Sequence, residues 1–425
     1  MDTIKPLELT LCVLNILVWL LVWPSGYLHS LLGGGVYLRE AFVLCVLLMN
    51  VFHFFKMSVG HSYIFLFFVV LGMIYIGLVC LFYNVFIVVE IGSLVVIKWV
   101  FYWFWALTFG LLGCSRSKVW LCFVLSVFLL CCVAEAGVGL FERISGEYFI
   151  ASQGDNLTLA GNQLNKENVM FEPGLIRVKG FQRDVFTYCN VLLLGCCVAV
   201  HLGCLFRKPA ILLCLAALVS YFIVSIAVSG GRSSLFGCLA LMLAVLVWLV
   251  SGLFKKWIIT VPIAMVLFSF VFSVFGFGGV LEFTSEQIFG GSAFGDLQSA
   301  DMRERIWDRY WENLVGDTSK FIFGDLLVGL ISADSFAVEF VDNQLLWMWV
   351  YFGFVGVLFY IFLMVGVPFR VSQVQSDSSG LLVVVCVVSA ISAEGIARES
   401  IFFPSSIFLF FVVGLYASKP ICWNE

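Results

Sequence analysis

Twelve long, nearly uncharged apolar runs follow one another along this chain, and no other feature restricts its fold so severely. They cover residues 7–23, 41–55, 62–82, 85–112, 119–140, 185–206, 210–228, 234–254, 258–277, 345–367, 381–393 and 400–417. Most approach the ~20 residues that one helical crossing of a bilayer needs. Backbone inside hydrocarbon has no water to bond, so runs of this kind must be helical. The alternating ~10-residue segments of an outer-membrane barrel are absent. Composition points the same way: 62% of the 425 residues are hydrophobic and 12% are charged, about half the charged share of a soluble domain. A soluble globular enzyme is excluded. The expected fold is all-α, a polytopic integral membrane protein of about 12 transmembrane helices. A net charge of −4 leaves no electrostatic footprint for nucleic acid. The fifteen cysteines fall in the runs or in short connections, without CxxC spacing, and read as small membrane hydrophobes.

The runs divide the chain into five parts: N-terminal membrane helices over 1–140, a first large loop over 141–184, central membrane helices over 185–277, a second large loop with an amphipathic helix over 278–344, and C-terminal membrane helices over 345–425. The first run lacks a small-residue cleavage site and is expected to stay as an anchor. The eleventh is interrupted by Glu394 and Gly395. Basic clusters in the short connections, SRSK at 115–118, RKP at 207–209 and KK at 255–256, place the N-terminus inside. Both large loops then lie on the outer side. Carriers keep their loops brief, so two large loops on one side suggest recognition or chemistry there.

Residues 299–315 read as an amphipathic helix opened by Ser299 or Asp301. At 100° per residue, Met302, Ile306, Trp307, Tyr310, Trp311 and Leu314 share one half, and Glu304, Asp308 and Glu312 occupy the other. Arg303 falls in the middle of the apolar arc, with Arg305 at its boundary. A guanidinium there either snorkels from a helix lying at the membrane surface or forks onto phosphate oxygens. A second arginine, Arg232, stands between Gly230-Gly231 and Ser233-Ser234, just before a span. The glycines allow close backbone approach and the serines can cap the following helix, leaving an anion site or an interfacial anchor as the two readings. Arg177, Lys179 and Arg183 form a basic stretch around Gly180 and Phe181. Asp342 and Asn343 lead into the tenth run, as a base with Glu339 and Asp334 as rivals, or as a helix-capping pair. Gly353 and Gly356 in that run permit close packing. Among charges inside the runs, Glu90 and Lys98 are spaced to pair indirectly, Glu135 stands alone, and Glu394 and Arg398 sit at i, i+4 spacing. Tyr310 and Trp307 suit stacking on sugar faces or packing at span ends. No phosphate loop, DxD pair or histidine cluster is present, so neither ATP-driven transport nor a zinc site is readable.

Three of these segments, in order, resemble the bacterial O-antigen polymerase and O-antigen ligase superfamily. They are the Gly-Gly-Arg232-Ser-Ser turn, the run Arg303-Glu-Arg-Ile-Trp307 followed by Gly324 and Gly329, and Asp342-Asn343-Gln-Leu-Leu followed by Gly353 and Gly356. The stretch from Arg177 to Phe181 is similar more loosely. The ligases carry His-Asn where this chain has Asp342-Asn343, which tilts the resemblance toward polymerase. The resemblance implies a GT-C-like helical glycosyltransferase of the bacterial inner membrane with a periplasmic active site and no metal or other cofactor. It implies undecaprenyl-pyrophosphate-linked oligosaccharide as substrate and leaves room for a chain-length regulator as partner. Its site residues would be Arg232, Arg303 and Asp342 in catalysis, with Arg177, Arg183, Arg305, Asn343, Trp307 and Tyr310 binding substrate. Rival expectations are a ligase acting on lipid A-core and, from another class, a flippase or sugar exporter lined by Glu90, Lys98 and Glu135.

Overall fold

The computed structural model describes residues 6–22, 36–56, 63–87, 92–113, 118–146, 158–159, 162–163, 170–172, 175–176, 178, 180–182, 185–206, 208–229, 231–251, 257–275, 310–312, 314–324, 343–375, 378–396 and 404–417. The apolar runs are helical over nearly all of their described residues, the exceptions being run ends and a break at Gly353. The helices are α1 (Pro6–Val22), α2 (Val36–Lys56), α3 (Tyr63–Ile87), α4 (Gly92–Gly113), α5 (Lys118–Ser145), α6 (Val185–Leu205), α7 (Pro209–Ser229), α8 (Arg232–Val250), α9 (Thr260–Phe275), the short α10 (Thr318–Phe323), α11 (Gln344–Ile361), α12 (Val367–Val374), α13 (Ser378–Glu394) and α14 (Pro404–Tyr416). A π-helical turn at Phe362–Gly366 joins α11 to α12. Two small antiparallel pairs, Thr158–Leu159 with Asn162–Gln163 and Met170–Glu172 with Leu175–Ile176, lie among the described residues of the first loop and depart from the all-α expectation. The helix before that loop runs on to Ser145, five residues past the expected boundary at 140, because Glu142 still faces inward.

Among the described residues five helices, Val119–Ser145, Val185–Leu205, Pro209–Ser229, Ser233–Val250 and Gln344–Val374, are long and apolar enough to cross a membrane, and seven shorter apolar helices accompany them. Burial separates an inner layer from an outer one. The 18-residue window of α6 is 83% buried, whereas those of α7 and α8 are 22% and 33% buried. Helices α13 and α14 are likewise covered on nearly every side, α13 packing along α8 and α14 along α4. An inner helix that is apolar all round suits a core, while Leu213, Leu246, Leu249 and Phe236 on α7 and α8 stay exposed. Water would not tolerate that surface; lipid does. The chain is a helical membrane protein.

Several polar groups within the runs are met by one another. Asn15 and Asn50 exchange amide hydrogen bonds of 2.9 and 2.8 Å, and Trp105 donates to Asn15 at 2.8 Å. Lys98 lies 3.7 Å from Glu40, which also accepts from the Tyr102 hydroxyl; Glu90, its expected neighbour, lies outside the described residues. Lys98 and Glu135 therefore have separate partners. Every described cysteine is a free thiol.

Close crossing of α4 and α14 depends on two glycines. A Cβ on Gly110 would stand 2.0 Å from the Phe411 carbonyl oxygen, and one on Gly414 2.2 Å from that of Leu107. Backbone yields less readily than a side chain, so Gly110→Val or Gly414→Val should lower the melting temperature in detergent, at a cost of about 1–3 kcal/mol or more. Gly77→Ala, whose Cβ meets Val100 at 3.6 Å, should be close to neutral.

Candidate functional site

Glu394 ends α13 with no exposed surface. A buried carboxylate is tolerated only when hydrogen-bonded, and three elements supply the bonds. Asn190 of α6 donates at 2.6 Å to one oxygen, and Ser234 in the first turn of α8 donates at 2.6 Å to the other. Asn190 in turn bonds the Ser405 hydroxyl at 2.9 Å and accepts the Ser405 backbone N–H at 2.8 Å, tying in the start of α14. Just beyond Glu394, the carbonyls of Gly395 and Ile396 accept from the Gln344 backbone N–H at 2.8 Å and the Asn343 side chain at 3.1 Å. Asn343 also caps α11, its oxygen accepting the Leu346 N–H at 3.1 Å. The starts of α8, α11 and α14 thus meet around the end of α13.

The turn between α7 and α8 is pressed onto α6. A Cβ at Gly231 would lie 2.3 Å from the Cys189 sulfur, and that thiol sits 2.9 Å from the Ser229 hydroxyl. Helix α8 begins at Arg232 with Gly231 at its N-cap and no side-chain capping bond. This corrects the expectation that the serines cap it: α8 begins at Arg232, so Ser234 lies inside the first turn rather than at the N-cap, and its hydroxyl donates to Glu394. Arg232 is placed by its backbone at the first position of α8, one turn's distance or less from Ser234.

A second pair of buried carboxylates lies beside the start of α6. Glu135 and Glu142 are two turns apart on α5 and both fully buried. Glu135 accepts from the Phe181 N–H at 2.8 Å and the Gln182 amide at 3.1 Å; Glu142 accepts from the Gly180 N–H at 2.9 Å. Gly180 has φ +59°, and a Cβ there would stand 2.3 Å from a Glu135 oxygen and 2.8 Å from the Tyr188 ring. Only glycine fits both the backbone and the space. The 180–182 turn is clasped to α5 at the same end of the bundle, since Tyr188, Cys189 and Asn190 are consecutive on α6.

In the second loop, Tyr310 is buried in the core and Trp311 packs edge-on against Trp349 of α11, ring centroids 5.1 Å apart. Residues 310–312 and 314–316 are helical, within the segment expected to be so. Asp317 caps α10, accepting from the Ser319 N–H at 2.9 Å and hydroxyl at 2.7 Å, and these donors hold its exposed carboxyl below the ordinary value of 3.8. A pKa lowered on folding stabilises above the unfolded value and is lost as pH falls through the folded one. Protection of the 318–321 amides against exchange, relative to the intrinsic rate at each pH, should therefore fall only on acidification below about 3.8, and Asp317→Asn should abolish that pH dependence.

The structure brings together the Arg232 turn, Asn343 and the 180–182 turn, and buries Tyr310 in the core next to Trp311, which packs on Trp349 of α11. Arg177, Arg183, Arg303, Arg305, Trp307 and Asp342 lie outside the described residues, as do Glu339, Asp334 and Arg398. Among the described residues no three His, Cys, Asp or Glu side chains are placed to hold a metal ion. Asn190, Ser405 and Glu142 were not singled out from the sequence. Asn190 was findable as a polar residue inside an apolar run, and Glu142 as the residue seven on from Glu135, on the same helix face. No protein-family model, curated protein or solved structure matches the chain.

Gly180→Ala should lower the melting temperature by both a left-handed-backbone cost of about 1–2 kcal/mol and the lost clasp. Gly146, with φ +72° and open space around it, should on change to Ala show the backbone cost alone. Equal losses from the two would refute the clasp.

Proposed function

We propose that this chain is a glycosyltransferase of the bacterial inner membrane that polymerises lipid-linked oligosaccharide repeats on the periplasmic side. In this reading its twelve apolar runs are twelve spans in a GT-C-like arrangement, with both large loops outside. A hydroxyl of the incoming repeat attacks the anomeric carbon of the growing chain. The new C–O bond forms as the bond to undecaprenyl pyrophosphate breaks, and the diphosphate departs with the bonding pair. The hydroxyl proton passes to a carboxylate, for which Asp342 is the candidate.

The protein must orient two long substrates and neutralise charge growing on the diphosphate. Arg232 and Arg303 are proposed as the clamp, with Arg177, Arg183 and Arg305 in support. Trp307 is the candidate for stacking on a sugar; Tyr310, being buried, would support that loop from beneath. One observation carries the reading. Three of the four segments that resemble the polymerase and ligase superfamily, those holding Arg232, Asn343 and Gly180, share one end of the bundle through the bonds around Glu394 and Glu135. The starts of α8, α11 and α14 lie there too, and helix N-termini favour an anion.

Purified protein supplied with defined lipid-linked repeats should yield longer lipid-linked chains and free undecaprenyl pyrophosphate. Arg232→Ala, Arg303→Ala and Arg303→Lys should each cut turnover by about 100-fold or more, the loss expected when a donor to developing charge is removed. Normal chain ladders from both Arg303 variants at normal protein levels would remove the clamp. Full output from Asp342→Asn would exclude it as base. Movement of the lipid-linked repeat with no new glycosidic bond would make the protein a transporter, and glycan attached to added lipid A-core would make it a ligase.

A further inference from the structure

Helix α11 is broken at Gly353, where the backbone takes φ 63° and ψ −164°. The break receives the end of α10. Gly324, with φ +80°, sits so near that a Cβ on it would stand 2.6 Å from the Gly353 nitrogen, and a Cβ on Gly353 would stand 2.2 Å from the Ile322 carbonyl oxygen. Two glycines with positive φ thus bring two backbones into contact. The polar groups at the join are met: the Trp349 ring N–H donates to the Phe321 carbonyl at 3.1 Å, the Tyr75 hydroxyl to the Phe352 carbonyl at 3.0 Å, and the Gly324 N–H to the Lys320 carbonyl at 2.7 Å.

The depth of this join follows from the sequence of α11. Residues 345–368 carry no charge, a run of about 36 Å at 1.5 Å per residue. Centred on a hydrocarbon core of about 30 Å, that run puts Gly353, eight residues along, about 9 Å below the core's edge. Non-helical backbone at such depth occurs where protein covers it, and the three hydrogen bonds above meet that condition. The composition of α10 is graded to match. Asp317, Thr318, Ser319 and Lys320 come first, and Phe321, Ile322, Phe323 and Gly324 follow. Phe321 turns inward, its ring centroid 4.9 Å from that of Trp349, while Phe323 is 60% exposed and Ile322 39%.

We infer that α10 dips into the outer leaflet as a re-entrant element, its polar first half at the headgroups and its Ile322 and Phe323 face against the acyl chains of bilayer lipid. The second loop therefore enters the membrane rather than lying wholly on it. This holds whether or not the chain is a glycosyltransferase.

The test is p-benzoylphenylalanine placed singly at positions 319, 323 and 358 of the full chain, in vesicles of phosphatidylethanolamine and phosphatidylglycerol with tritiated acyl chains. Leu358, 49% exposed on α11, marks the lipid-facing level. Illumination should give lipid adducts at 323 within about twofold of those at 358 and about fivefold or more above those at 319. Equal yields at 319 and 323, high or low, would overturn the dip. Hydroxyl-radical oxidation of the unaltered protein in the same vesicles gives an independent reading. Phe323 should be as protected as Leu358, and oxidation at the rate of a water-exposed peptide would overturn the inference.

Discussion

In hydrocarbon a polar group without a partner has no solvent to fall back on, and the architecture follows from that constraint. The interior carries carboxylates, amides and hydroxyls, and several of them have their bonding completed by another element, although the Ser269 and Tyr188 hydroxyls are buried without a partner among the described residues. Glu394 is the clearest instance: its two oxygens take donors from α6 and α8, and its neighbours' carbonyls take donors from the start of α11. Remove the carboxylate and Asn190 and Ser234 lose an acceptor at once. The carboxylate ties α6 and α8 to the end of α13, while the backbone just beyond it holds the start of α11.

Glu394 gives the donors of α6 and α8 one shared acceptor beside the starts of α11 and α14. Arg232, at the first position of α8, stands at that junction. The clasp on α5 repeats the device on a smaller scale: two carboxylates receive backbone N–H groups of a turn that basic residues flank in sequence.

The helices were legible because an apolar run long enough to cross a bilayer has one outcome. The site was legible only where its logic is local. Asn343 could be read as a cap because its partner, Leu346, is three residues away. Ser234 could not be read correctly, since local rules offer it a capping role, whereas the helix starts two residues before it and its hydroxyl donates to Glu394, 160 positions distant. Gly180 was visible as a glycine, but its necessity comes from Glu135 and Tyr188 on other elements. Gly353 read as a packing residue, whereas its positive φ has meaning only beside Gly324 of a different segment. Lys98 was matched to Glu90 by spacing along one helix, and the fold pairs it with Glu40 of α2.

The exchange of amides between Asn15 and Asn50 has a consequence for biogenesis. Each side chain is both donor and acceptor to the other, so a slip of α1 past α2 by a single residue breaks both bonds at once. The two residues lie 35 positions apart on neighbouring helices, so this exchange can close as soon as both helices have been made, Asn15 meanwhile holding its own Leu11 carbonyl at 2.7 Å. A hairpin in that register presents the Asn15 oxygen to which Trp105 of α4 donates.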